Sequence, residues 1–155
     1  MNKQEQVMTE FRELFNKMAW LNKYKMERSL QGYKPSEVHC IDYIGKHTET
    51  NVTRLAESLY MTRGAISKIT KKLLDRQLIQ SYQKQDNKKE IYFKLTEQGE
   101  SVFAIHDQLH REFQQRDQLV FEQITDEQFD SMLNFIQKYS QHLDQEIQEQ
   151  GITIN

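Results

Sequence analysis

A short amphipathic segment, NVTRLAESL at residues 51–59, is followed almost at once by a longer one, MTRGAISKITKKLLDRQLI at 61–79. The only spacer is Tyr60-Met61, enough for a tight turn. In the first segment Leu55 and Leu59 share a face with Ala56 beside them. In the second, Thr62 is a helix N-cap of the preferred type, and Ile66, Ile69, Leu73 and Leu74 form an apolar stripe at helical spacing. Arg63, Ser67, Lys68, Lys71 and Lys72 fall mainly elsewhere on its circumference, so the outer face is cationic. Next, LIQSYQ and EIYFKL flank the polar KQDNKK. Ile79, then Ile91, Phe93 and Leu95, carry the period-two alternation of a half-buried hairpin, and Asp86-Asn87 supply turn chemistry. Short helix, tight turn, basic helix and hairpin with a cationic tip make the order of a winged helix-turn-helix.

The charge distribution supports a polyanionic partner. Residues 62–94 hold nine cations against three acids, while the chain as a whole carries −2. A local basic face on an acidic body sets its own field regardless of the total. The major groove of B-DNA admits one helix, and its base edges offer donors and acceptors to short or forked side chains. A hairpin beside that helix reaches backbone or minor groove, where lysine or arginine meets dense negative charge.

With one proline and five glycines in 155 residues, the rest of the chain reads as helix. Val7, Phe11, Leu14, Phe15, Met18 and Leu21 predict a long first helix, which Gly32 ends before Pro35 starts the next. Val38, Ile41 and Ile44 mark a second helix stopping near Gly45. Thr96 can cap a fifth, striped by Val102, Phe103, His106, Leu109, His110, Phe113 and Val120. Thr125 with Gln128 has the form of a capping box before a last helix bearing Phe129, Met132, Leu133, Ile136, Leu143 and Ile147. Long terminal helices with wide apolar stripes and few local partners predict a homodimer.

One cysteine, Cys40, excludes an intramolecular disulfide and points to a reducing compartment. No apolar run approaches the roughly 20 residues of a membrane span, and MNKQEQVMTEF has no apolar signal core, so a soluble intracellular protein with no membrane partner is expected. Enzyme signatures are missing: there is no glycine-rich phosphate loop, no nucleophile elbow and no pair of carboxylates that spacing forces together. A rival class is a winged-helix module that contacts protein rather than DNA.

These elements resemble the MarR family of bacterial transcription regulators. The resemblance rests on VTRLAESLYMTRGAISKITKKLLDRQLI for the helix-turn-helix, DNKKEIYFKLTEQG for the wing and its exit, and the long helices at both ends. It covers nearly the whole chain. It implies one mainly α domain over 1–155, with a winged helix-turn-helix lobe at about 34–96 and dimerisation helices at 1–31 and 97–150. It further implies a cytoplasmic homodimer, usually a repressor, bound to double-stranded DNA at a pseudo-palindromic operator. By role, Arg63, Ser67 and Lys68 are expected at base edges, and Thr62, Lys71, Lys72, Lys88 and Lys89 at phosphates, with Arg54 on the bracing helix a weaker backbone contact. Family wings often carry Asp-Arg-Arg where this chain has Asn87, Lys88 and Lys89. Lysine keeps the charge without the planar fork, so this wing is expected to favour phosphates.

Two effector classes stay open. His106 and His110, four apart on one helix, stack on one face, and with His39 and a carboxylate they would make a tetrahedral zinc site. Zinc-uptake repressors of the family place histidines at these positions; Glu27 or Glu37 would supply the carboxylate here. Fatty-acid-responsive members resemble this region too; histidines on an apolar stripe are often satisfied core groups or line an organic pocket, and Trp20, Tyr24, Tyr43 and Phe113 either line such a pocket or belong to the core. Cys40, with no flanking cation cluster, is expected to be a buried inert thiol rather than a redox sensor.

Overall fold

The computed structural model describes residues 1–152 and contains six helices and one hairpin among them. Helix α1 spans Lys3–Ser29, α2 Pro35–Lys46, α3 Val52–Leu59 and α4 Arg63–Asp75; strands β1 (Ile79–Lys84) and β2 (Asn87–Leu95) follow, then α5 (Glu97–Phe121) and α6 (Asp126–Glu149). Most boundaries are set by local chemistry. Asn51, Thr62, Thr96 and Thr125 each accept a backbone N–H two or three residues into the helix they begin. Thr125 and Gln128 close a reciprocal capping box, and so do Asn2 and Glu5. Pro35 occupies the first turn of α2, after Gly32 at φ +85°.

One core joins α2, α3, α4, the hairpin base and α5. Ile41, Leu55, Ile66, Leu73 and Leu78 are withdrawn from water at its centre. The antiparallel hairpin pairs Ile79 with Leu95 and Ser81 with Phe93, and Phe93 N–H also donates to Thr50 O at 2.8 Å, so the α2–α3 loop lies along the hairpin base. The expected alternation holds for Ile79 and Phe93 but not for Ile91, which is 51% exposed while Tyr92 is buried. Ile91 sits where the ribbon has left the body. Tyr92 is covered on the other face by Tyr82 across the strands, ring centroids 5.6 Å apart, and by Lys84 Nζ 5.6 Å from its ring centre.

Helices α1 and α6 bury no residue within this chain. Leu14, Phe15, Met18 and Leu21 on α1, and Leu133, Ile136 and Leu143 on α6, stand open to solvent. Phe11 and Phe135 are one point where the two helices touch, at 6.0 Å between ring centroids. The fifth-helix stripe is buried at Val102, His106, Leu109 and Phe113, but Val120 lies beyond the lobe and is exposed.

The hairpin exit depends on a close backbone approach. A Cβ at Gly99 would lie 2.0 Å from the Leu78 carbonyl oxygen, which already accepts Thr96 N–H. Backbone cannot step aside as a side chain would, so Gly99→Ala is expected to cost about 2–3 kcal/mol. Thermal unfolding followed by circular dichroism should show a midpoint lower by roughly 5 °C or more; an unchanged midpoint would refute this packing.

Candidate nucleic-acid interface

Helix α4 has two sides with separate duties. Ile66, Thr70 and Leu73 are buried against the lobe. Arg63, Ser67 and Lys71 follow one another at four-residue spacing on the exposed side, with Lys68 beside them. Among the described residues Arg63, Lys68 and Lys71 form no salt bridge. The start of the helix is pinned by Thr62, whose hydroxyl oxygen accepts Ala65 N–H at 3.1 Å, leaving its own proton for a further acceptor. The turn into α4 is made by Tyr60 at φ +53°, left-handed without a glycine. At its other end Gln77, at φ +59°, closes a Schellman motif: Leu78 N–H donates to Leu73 O and Gln77 N–H to Leu74 O.

The hairpin tip offers two more free cations. Asn87 Oδ1 accepts the backbone N–H groups of Lys89 and Glu90, at 3.1 and 3.3 Å, and this local turn leaves Lys88 and Lys89 exposed. The outer part of the hairpin is tied to the start of α3 and the loop before it. Lys84 pairs with Glu49, Asn51 Nδ2 donates to Glu90 Oε2 at 3.2 Å, and Arg54 Nη1 donates to Glu49 O at 2.6 Å. Arg54 is exposed, yet its guanidinium is partly engaged by that carbonyl.

Lys72 differs from its neighbours. Its Nζ lies 2.8 Å from Glu37 Oε1, while Arg76 Nη1 lies 3.1 Å from Glu37 Oε2 and donates to Gly32 O at 3.1 Å. Glu37 is 2% exposed, so this carboxylate holds both cations from inside the lobe. Sequence periodicity placed Lys72 with the outward cations; it could not reveal an anion buried on another helix.

This lobe has known counterparts. The MarR family model matches residues 34–91, from the start of α2 to the outgoing wing strand. The HTH-type transcriptional regulator PchR of Bacillus subtilis is 30% identical over 152 residues, covering 86% of this chain and 88% of that protein. The chain belongs to the MarR family. It is a DNA-binding helix-turn-helix transcription regulator and not an enzyme, which sets aside a protein-contact module without DNA binding. Solved structures agree on the fold. FabT of Streptococcus pneumoniae in complex with DNA superposes with a TM-score of 0.77 at 17% identity, over 92% of this chain and 99% of that one. Staphylococcus aureus MarR in complex with salicylate and kanamycin gives 0.71 at 18%, over 92% and 93%. No helix among the described residues is long and apolar enough to cross a membrane.

As a MarR-family chain it carries a cavity of about 420 Å³ between α1, α2 and α5, lined by Met26, Leu30, Tyr33, Val38, His39, His106, His110 and Phe113 among others. Of the four aromatics expected at an organic pocket, only Phe113 is there. Trp20 and Tyr24 are 78% and 69% exposed on α1, and Tyr43 stacks on His47 at 3.9 Å. The helical stripe of α1 could not show which of its sides meets the lobe.

The three histidines named for a zinc site all line this same cavity. His106 Nε2 and His110 Nε2 are 3.0 Å apart in a mutual hydrogen bond, and His106 Nδ1 is 3.3 Å from Asp42 Oδ1. A neutral His106 whose Nδ1–H donates to Asp42, and whose Nε2 accepts from His110, satisfies both contacts. The exposed His39 ring is 6.4 Å from that of His106, Glu37 is held by two cations, and Glu27 pairs with Lys23 at 3.7 Å. Among the described residues no three His, Cys, Asp or Glu side chains are arranged to hold a metal ion. Cys40 is buried, and burial together with the Glu37 charge pushes its thiol up to about 12, which agrees with an inert thiol.

Burial chiefly, with the neighbouring His110, lowers the His106 pKa below its ordinary value of 6.5, against the pull of Asp42. The folded protein therefore favours neutral His106 more than the unfolded chain does. Its contribution is complete above about pH 6.5 and declines as pH falls through that value toward the lower folded one. The expected outcome is a thermal midpoint that drops as pH is lowered from 7 to 5, with His106→Asn showing a shallower drop. Equal slopes for the two proteins would contradict the assignment.

Proposed function

We propose that this regulator acts as a homodimeric repressor. Its two copies of α4 enter successive major grooves of a pseudo-palindromic operator, with half-sites about one helical turn apart. The observation that carries this reading is the exposed side of α4, where Arg63, Ser67, Lys68 and Lys71 project from a helix whose other side is committed to the core. Arg63, Ser67 and Lys68, toward the helix start, face base edges. Thr62, Lys71, Lys88 and Lys89 contact phosphates, Arg54 makes a secondary backbone contact, and Lys72 adds charge while remaining tied to Glu37. The apolar surface of α1 and α6 supports the dimer: side chains such as Phe15, Leu21, Leu133 and Ile136 are otherwise left in water. Residues 1–31 and 97–150 then form the dimerisation region around the lobe at 34–96. The cavity beside His106 takes a small organic effector that tunes operator binding; its walls are mostly apolar, with imidazoles at one end.

Selection of bound fragments from genomic DNA by the purified protein, followed by mobility shifts, tests the core of this reading. Failure to retain any sequence selectively would sink it. On the selected duplex, Lys88→Ala with Lys89→Ala should weaken binding to all sequences and lower the slope of log K against log salt by roughly one unit per lost contact. An unchanged slope would remove the wing from the interface.

Gly64 gives an independent check. A Cβ there would meet nothing of the protein within 4 Å, and alanine is the better helix former. Gly64→Ala should leave the thermal midpoint unchanged or slightly raised. If the α4 backbone comes close to the duplex at this point, operator affinity should fall by about tenfold, the scale of one lost base contact. Undiminished affinity would place Gly64 away from the DNA.

A further inference from the structure

The buried carboxylate of Glu37 stands where two structures meet. It lies in the first turn of α2, at the positive end of that helix, and grips Lys72 and Arg76 at the negative end of α4. The Arg76 guanidinium also lies over the Tyr33 ring, 4.4 Å from its centre, and donates to Gly32 O. Tyr33 is a wall of the 420 Å³ cavity, as is Val38, the residue after Glu37. A single cluster, Tyr33, Arg76, Glu37 and Lys72, therefore joins the cavity wall to the last turn of the helix proposed to read DNA. Among the described residues no comparable contact links the cavity to the wing, whose ties run to Glu49, Asn51 and Thr50 instead.

We infer that Tyr33 and Glu37 are positioning residues that couple the cavity to α4: what fills the cavity displaces the Tyr33 ring, Arg76 follows, and the grip of Glu37 on the end of α4 changes. The inference rests on reading α4 as the DNA-contacting helix and the cavity as an effector site. Coupling requires an element with two arrangements that both sites bias. Arg76 provides one. Its guanidinium has three partners at once, an aromatic face, a carbonyl and a carboxylate, and if it moves with the ring it loosens its hold on the other two. Lys72 stays on Glu37 throughout and limits how far α4 departs.

A filled cavity can be imitated without knowing the natural ligand. Met26→Trp places a large side chain on the cavity wall; Ala19→Phe, on the same wall and exposed on α1, serves if that variant does not fold. Each is combined with Tyr33→Leu, which removes the aromatic face, and with Tyr33→Phe, which keeps it. Binding to a selected operator duplex is read by fluorescence anisotropy. Hydrogen exchange of the amides of residues 72–76 is read in the DNA-free protein.

The filling substitution is expected to weaken DNA binding about fivefold in the wild-type and Tyr33→Phe backgrounds, within the ordinary range of coupling between sites. In the Tyr33→Leu background it should change binding less than about twofold. Exchange at 72–76 should speed up in the first two backgrounds and hold steady in the third. Equal effects in all three backgrounds, or no response at 72–76 in the wild type, overturn the coupling. If no duplex is retained by any variant, the DNA reading of α4 fails, while the exchange measurement still decides whether cavity and helix communicate.

Discussion

Complete burial of Ile66 and Leu73 decides which way α4 faces. Two aliphatic side chains removed from water stabilise the helix seat by several kcal/mol, far more than any one surface charge contributes. Once that side is committed, the 3.6-residue repeat leaves no freedom to the rest: Arg63, Ser67 and Lys71 must point outward, with Lys68 beside them. The bracing helix meets the same core through Leu55 and Ala56, and Tyr60 turns the chain between them. The cationic outer side of α4, proposed to meet DNA, is therefore a consequence of hydrophobic packing on the opposite side of the same helix.

Ionisable carboxyl and imidazole groups inside the lobe are few, and each has partners. Glu37 has two cations and a helix N-terminus, and His106 has a carboxylate on one nitrogen and an imidazole on the other. In a medium of low effective dielectric an unpaired charge at either place would be costly. Glu37 ties α2 to α4 and His106 ties α5 to α2, so a packing change at α2 would disturb the hydrogen bonds of both.

Most local elements were legible in the chain. Thr62, Thr96 and Thr125 are good caps because their hydroxyls reach a backbone N–H without help from distant residues. Gly32 and Pro35 mark the α1–α2 corner by their own backbone preferences. What the chain could not show concerns what one element does to another. Ile91 follows the strand alternation but lies past the edge of the core. Lys72 follows the cationic face but is captured by Glu37. Trp20 and Tyr24 lie on sides of α1 that this chain leaves in solvent. The two histidines of α5 meet, as their spacing requires, bond to each other and to Asp42, and share a cavity with His39.

The sequence by itself determined the order of helices and hairpin, the family, and the basic outer side of α4, because caps, turns and periodic apolar stripes act over a few residues. Only the tertiary structure decided which cations stay free, which aromatics meet the cavity, and how the histidines are placed around it. Those outcomes depend on distances between side chains far apart in the chain, Glu37 and Arg76 or Asp42 and His106, and such distances exist only after the helices have packed.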